Sequence, residues 1–301
     1  MSETRIGVIG LGHVGRALAE RASAAGFIVQ GLDVSPAAVA AARASGIAVA
    51  PDLASLLKTC PIALVCVFDD GQFKDVVGTI AARAVCAGRP ELVINAATCS
   101  PAAVESAAAE LRRQEIAFIE LPLSGSSVQI RLGEALGLVG ADDAVLAHYV
   151  EVITVLSPQH FHVGPPGAGA RAKLASNLVL GLNRAALAEG IVFAERLGLD
   201  GHRFLELLRR SPAYSRAVDT VGARMVARDF ATRSRLAQHR KDLALILAQA
   251  GGGNAGPGLP LARAHLDLLD RAIALGLGDC DNAAVIAALT TTTDADSPRI
   301  D

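Results

Sequence analysis

The stretch "GVIGLGHVG", residues 7–15, constrains the fold of this 301-residue chain more than any other. Its glycines stand at positions 10, 12 and 15. That is the spacing of a turn joining a strand to a helix around a dinucleotide pyrophosphate. Three such glycines are a weak signal in a chain with 29 glycines, so the flanking sequence decides. "RIGVIG" (5–10) reads as a strand, and 13–25 as a helix ended by Gly26. "FIVQGLD" (27–33) reads as a second strand, so the turn sits in a strand–helix–strand unit. In that setting Gly10 makes the tight turn, Gly12 lets the backbone approach the pyrophosphate, and Gly15 lets helix and strand pack closely. The N–H groups of His13 and Val14 open the helix and favour an anion. The His13 side chain is at a variable position of the turn, facing solvent or the cofactor edge. Asp33 ends the second strand, 21 residues after Gly12. There a carboxylate can accept from the ribose 2′-hydroxyl and repels a 2′-phosphate. No Arg or Lys follows until Arg43, so NAD is expected over NADP. The competing role for Asp33 is to cap the next turn.

The same alternation continues. Ser35-Pro36 and Ser100-Pro101 each offer an N-cap followed by proline at the first helical position. "IALVCVF" (62–68) is continuously apolar, as a strand buried on both faces should be. "ELVINAA" (91–97), "IAFIELP" (116–122), "ALGLVG" (135–140) and "HFHV" (160–163) complete the strand set. This predicts an α/β Rossmann-type domain, a doubly wound parallel sheet, over residues 1–163. Beyond it come helical stretches at 168–197, 201–210, 215–227, 235–250 and 259–276. An all-α domain for substrate binding and dimerisation is therefore expected over 164–289, with a glycine-rich loop at 251–258 and a frayed tail at 290–301.

Composition excludes several functions. Net charge is −2, which gives no pull towards nucleic acid or anionic membrane. Between His202 and Lys241, ten Arg or Lys face three Asp or Glu, but they are spread through helices in no single run. There is no Trp, and aromatics are 3% of the chain, too few for base-stacking platforms. Cys60, Cys66, Cys86, Cys99 and Cys280 form no C-x-x-C pair and read as buried free thiols of a reducing cytosol. No metal-ligand set is assigned. Glu3 and Arg5 run directly into a strand, so no signal peptide is expected, and "IALVCVF" is too short to span a bilayer. A cytoplasmic protein is the expectation. The Ala- and Leu-rich helices predict a homodimer or homotetramer.

Three downstream stretches carry chemistry. "ELPLSGS" (120–126) places Ser124, Gly125 and Ser126 just past a strand end. Two hydroxyls and approachable backbone N–H groups suit a carboxylate, although the same residues alone could be a simple turn. "GPPGAGARAKLASN" (164–177) opens a helix on which Lys173 and Asn177 lie four residues apart, on one face. Positive partial charge at a helix start and burial both ease proton loss from an ammonium, so Lys173 could exchange a proton with a hydroxyl. Asn177 could hold the amine or the substrate oxygen. "HRKDLALILAQA" (239–250) offers Lys241 and Asp242, either as chemistry or as a helix start with an exposed lysine.

Together these motifs resemble the β-hydroxyacid dehydrogenase family, which includes 3-hydroxyisobutyrate dehydrogenase, tartronate semialdehyde reductase and L-threonate dehydrogenase. The resemblance spans residues 5–289. "GLGHVG" matches the family's G-L-G-x-M-G, with Val14 in place of Met. "ELPLSGS" corresponds to D-A-P-V-S-G-G. Residues 164–177 match G-x-x-G-x-G-x-x-x-K-x-x-x-N in full, and "DCDNAAVIAAL" (279–289) resembles the C-terminal D-x-x-A-V-I segment. The resemblance implies that Lys173 is the catalytic acid/base and that Asn177, Ser124 and Gly125 handle substrate, with Ser126 at the final Gly position. It places Thr98 near the nicotinamide, Lys241 near cofactor and substrate, and Val67 and Phe68 where a Leu-Pro pair approaches the cofactor. The chain departs from the pattern at Phe68, Asn95, Ala97, Glu120, Leu121, Leu123 and Ser126. These departures bear on the substrate more than on the chemistry.

The expectation is hydride transfer between NAD and a small 3-hydroxy carboxylate. Two alternatives stand beside it. One is an NADPH-dependent imine or aldehyde reductase, a fold relative that generally lacks the lysine. The other is a non-catalytic dinucleotide-binding scaffold.

Overall fold

The computed structural model describes residues 4–83, 89–251 and 258–290. Cys86, residues 252–257 of the expected glycine-rich segment and residues 291–301 of the expected 290–301 tail lie outside them, while Thr290 is described as helix. The chain divides into two compact units, Met1–Lys173 and Leu174–Asp301.

The first unit runs β1 (Arg5–Ile9), α1 (His13–Ala24), β2 (Ile28–Leu32), α2 (Pro36–Ala44), β3 (Ala48–Val49), α3 (Leu53–Thr59), β4 (Ile62–Val65), α4 (Asp70–Arg83), β5 (Leu92–Asn95), α5 (Pro101–Arg113), β6 (Ala117–Glu120), β7 (Leu123–Ser124), α6 (Ser127–Leu132), β8 (Leu136–Gly140), α7 (Asp143–Leu156) and β9 (Gln159–Gly164). α8 (Ala168–Arg196) then starts in the first unit and continues into the second. The sheet order is β3-β2-β1-β4-β5-β6-β8-β7, with β9 paired to β8. From β3 to β6 every pairing is parallel. The expected parallel sheet ends there, because β8 runs antiparallel to both β6 and β7. Only residues 125–135, which include the six-residue α6 closed by left-handed Gly133 (φ 77°), separate β7 from β8. So short a connection turns the chain back and cannot carry it across for a parallel return.

Alternate side chains of the strands go to opposite faces. Ile6, Val8, Leu64, Ile94 and Ile119 join one core with α1 and α7. Ile9, Val65, Val93 and Phe118 join the other with α3, α4 and α5. β4 is buried at all four positions, as its unbroken apolar run predicts. The Ser35 and Ser100 hydroxyls accept from the N–H groups of Ala38 and Ala103, and proline follows each as expected.

The Gly turn is built by close approach. Gly10 has φ +94°. A Cβ at Gly15 would lie 1.8 Å from the Gly10 carbonyl oxygen, so only glycine lets α1 come this near β1. A Cβ at Gly12 would meet nothing within 4 Å.

The expected boundary after residue 163 marks the end of β9, but the compact units divide ten residues later. The first turns of α8 stay with the sheet because Gly169, Ala170 and Lys173 hydrogen-bond to residues 120–123.

The second unit adds α9 (Gly201–Arg209), a π-helical turn (Val218–Gly222), α10 (Ala223–Ala227), α11 (Leu236–Gly251), α12 (Pro260–Ala274), a 3₁₀ turn (Asn282–Ile286) and α13 (Ala287–Thr290). The expected 215–227 helix thus contains a π-helical turn. Ala188, Ile191, Leu205, Met225, Leu243, Leu269 and Ile286 are among its core. α8 is long and apolar enough to cross a bilayer by length and composition, and its buried side supplies part of this core.

Polar groups are also buried here. Asp281 accepts from the N–H groups of Arg233, Ser234 and Ala283 and pairs with Arg224 at 2.8 Å. The His239 and His265 rings lie tilted at 45° to each other with centroids 5.2 Å apart. Burial, and then the charge of Arg184, push the His265 imidazole down to about 4.

Two predictions follow from these packings. Gly15→Ala should lose about 1–3 kcal/mol and several degrees of thermal midpoint. Gly12→Ala should stay within about 1 kcal/mol of wild type. Calorimetry on the pair checks this, and equal midpoints would contradict the close approach at Gly15. His265 is held neutral when folded, so its contribution is complete above the ordinary pKa of about 6.5 and is lost as pH falls from there towards 4. The urea midpoint should therefore drop between pH 7 and pH 5, and His265→Gln should flatten that drop.

Candidate active site

The residues singled out in the first unit gather at one edge of its sheet. Gly10–Gly15 follow β1, Asp33 follows β2, Val67 and Phe68 follow β4, Thr98 follows β5, and Ser124–Ser126 follow β6. These strands are parallel neighbours, so all five segments leave from their carboxyl ends. Ligands of doubly wound sheets bind at this edge, where the strand order reverses, here between β1 and β4.

Backbone and side-chain bonds tie these loops together. Gly10 N–H donates to Leu32 O at 2.8 Å, and Cys66 N–H to Ile9 O at 2.7 Å. Asp70, beyond Phe68, accepts from both the N–H and the hydroxyl of Ser100, at 2.9 and 2.5 Å. That link joins the loop carrying Phe68 to the loop carrying Thr98. Phe68 N–H itself donates to Gln72 Oε1 at 2.9 Å.

The Gly turn fits a dinucleotide. Gly12 is the N-cap of α1 and brings no side-chain acceptor to its first N–H groups. His13 and Val14 are exposed at that helix start. Such a set of donors, with room above Gly12, suits a pyrophosphate. Asp33 performs the turn-capping role and more. Its Oδ1 accepts from Ser35 N–H at 2.7 Å, and its Oδ2 from Leu11 N–H at 2.6 Å. It therefore braces the Gly turn while leaving lone pairs for a hydroxyl donor.

Ser124 lies in β7, paired with Leu136. Ser126 is the N-cap of α6, in a reciprocal capping box with Gln129. Its hydroxyl accepts from Gln129 N–H at 3.3 Å, which sequence reading did not anticipate. Lys173 is buried, and its Nζ donates to Leu123 O at 2.6 Å. The amine thus sits against the carbonyl directly preceding Ser124.

Glu120 was noted in the sequence only as a departure. It is fully buried, and its carboxylate accepts from Gly169 N–H at 2.5 Å and Ala170 N–H at 3.2 Å. Burial pushes its pKa up to about 7, against the pull of those N–H groups. A charged residue at the end of the buried run "IAFIE" was the available signal.

In the second unit, Asn177 and Lys241 converge on Asp242. Asn177 Nδ2 donates to Asp242 Oδ2 at 3.1 Å, and Lys241 Nζ lies 3.1 Å from Oδ1. Asp242 does not open α11, which begins at Leu236. It is buried on the helix face that also carries Leu236, His239, Leu243 and Ile246. That periodicity was the signal for an inward-facing carboxylate. Lys241 is correspondingly half-covered, not the exposed lysine of the alternative reading.

The family model for the NAD-binding domain of 6-phosphogluconate dehydrogenase matches residues 5–164. A second, the NAD-binding domain of NADP-dependent 3-hydroxyisobutyrate dehydrogenase, matches 167–289. The 2-(hydroxymethyl)glutarate dehydrogenase of Eubacterium barkeri is 28% identical, covering 94% of this chain and 93% of that protein. The 2-hydroxy-3-oxopropionate reductase of Escherichia coli is 25% identical, covering 95% and 97%. The solved structure of Mycobacterium tuberculosis 3-hydroxyisobutyrate dehydrogenase with L-serine superposes with a TM-score of 0.82 at 26% identity, covering 96% and 99%. An NAD(P)-binding Rossmann unit followed by a helical unit, with these relatives along its whole length, places the chain in the β-hydroxyacid dehydrogenase family of oxidoreductases.

Proposed function

We propose that the chain oxidises a small 3-hydroxy carboxylate with NAD, or reduces the corresponding aldehyde, with Lys173 as general acid/base. The observation that carries this reading is the 2.6 Å bond from Lys173 Nζ to Leu123 O, which stations a buried amine beside the Ser124–Ser126 segment. The substrate carboxylate docks on the Ser124 hydroxyl and the backbone N–H groups of Gly125 and Ser126. The hydroxyl to be oxidised then faces Lys173. The amine takes its proton during oxidation and returns it during reduction. Asn177, one helical turn further along α8 and steadied by Asp242, orients the reacting oxygen. Lys241 stands beside the same carboxylate, and the family resemblance assigns it to cofactor and substrate.

The Gly10–Gly15 turn, with the N–H groups of His13 and Val14, would hold the pyrophosphate. Val67, Phe68 and Thr98 would border the nicotinamide, which supplies or accepts the hydride when bound. Asp33 would accept from the ribose, and its charge disfavours a 2′-phosphate. Val34 beside it is fully exposed and offers such a phosphate no cation. NAD is accordingly the preferred cofactor. The substrate is a free small carboxylate, the location is cytoplasmic, and the second unit mediates a homodimer or homotetramer. Val179 and Phe193 are exposed along α8 and Leu197 just past its end, which supports such an assembly. Light scattering at micromolar concentration should give at least a dimer mass.

The decisive experiment follows absorbance at the NADH band with 3-hydroxyisobutyrate, threonate, 2-hydroxy-3-oxopropionate and L-serine, using both cofactors. Turnover with at least one of them and a higher kcat/KM with NAD than NADP are expected. Lys173→Ala should keep NADH affinity and lose about 10²–10⁴-fold in kcat. Tight NADH binding with no turnover on any substrate would make the chain a nucleotide-binding scaffold. A preference for NADPH with imine turnover would make it a reductase of another substrate class.

A further inference from the structure

Glu120 is bonded to the start of α8 and has no role assigned in the reading above, yet the fold makes room for it at two places. Gly140 pairs with it across β6 and β8, and a Cβ there would fall 1.9 Å from Glu120 Oε1. A Cβ at Gly169 would fall 2.9 Å from its carboxyl carbon. A buried strand end is filled more cheaply by an apolar side chain than by a carboxylate, whose desolvation must be offset by good partners. Here the partners are the first N–H groups of α8, where the helix dipole also favours a negative charge.

Those bonds lie one helical turn before Lys173. The Lys173 amine in turn reaches Leu123 O, three residues along the chain from Glu120. The start of α8 is thus fastened to residues 120–123 at two points, one through the carboxylate and one through the amine itself. Arg171 also pairs with Glu105, but both side chains are exposed, and such a pair fixes position weakly. Without the carboxylate, the start of α8 would lose its hydrogen bonds from Gly169 and Ala170 to the sheet.

We propose that Glu120 is a positioning residue for Lys173, its carboxylate setting the first turn of α8 and so the place of the amine beside Ser124. This inference rests on the reading of Lys173 as the acid/base. A displacement of about 1 Å in a reacting group can cost about a hundredfold in rate. The expected cost of loosening the carboxylate fastening lies near that figure.

The test compares wild type, Glu120→Gln, Lys173→Ala and the double variant, using the substrate from the panel above that turns over fastest. Glu120→Gln keeps the side-chain length but replaces one acceptor by a donor facing an N–H. It should lower kcat about ten- to a hundredfold, with KM and NADH affinity within about twofold. In the Lys173→Ala background the same change should lower the residual rate less than about twofold, because no amine remains to be misplaced. If Glu120→Gln does not fold, Glu120→Asp, which draws the carboxylate back from the amides, should show the same split between kcat and KM. Wild-type kcat in the folded Glu120 variant, or an equal loss in both backgrounds, overturns the positioning role alone. Wild-type turnover by Lys173→Ala overturns the acid/base reading, and this inference with it.

Discussion

A buried amine needs a hydrogen-bond partner, and the start of α8 is built around that need. Lys173 is buried and bonded to the Leu123 carbonyl. Losing that bond would take one partner from a polar group held out of water, a larger penalty than an exposed lysine would feel. The amine is therefore held beside the Ser124–Ser126 segment. On the proposed acid/base role, whatever sets the start of α8 against β6 and β7 bears on proton transfer.

The Gly turn and Asp33 show the same economy on the cofactor side. Asp33 was read in the sequence as either a ribose acceptor or a turn cap. Its two oxygens accept from Ser35 and Leu11, one beyond its own strand and one within the Gly turn. Capping and binding are not rivals here. A carboxylate already oriented by two backbone donors is preorganised, so it loses little freedom when a third donor arrives. On the proposed preference for NAD, its carboxylate at the strand end would disfavour a 2′-phosphate without any new contact.

Much of this was legible in the sequence, for physical reasons. The strand from Arg5 to Ile9, the glycine turn and the caps at Ser35 and Ser100 are local signals, and local rules place them. The continuous apolar run of β4 announces burial on both faces. What escaped was set by tertiary contacts. The antiparallel return of β8 depends on how little chain separates it from β7, and periodicity does not report direction. The capping box at Ser126 appears only once α6 exists, and α6 is too short to show a period. The division after Lys173 follows hydrogen bonds between residues about fifty positions apart, which no linker composition marks.

Glu120 and Asp242 were the hardest to read because both are charged residues on buried surfaces. Each sits where periodicity calls for an apolar side chain, at the end of a buried strand in one case and on the inner face of α11 in the other. Hydrophobic patterning treats such a residue as noise. Energetically it is the opposite, since a buried carboxylate survives only where donors have been arranged for it. Gly169 and Ala170 donate to one, Asn177 to the other, and Lys241 stands beside the second. The residues these carboxylates orient are the ones to which the family resemblance gives chemistry, or their immediate neighbours on α8. An acidic residue that breaks a buried pattern near a glycine-rich helix start is thus informative in itself. It marks where the chain has exchanged packing for the placement of a charge.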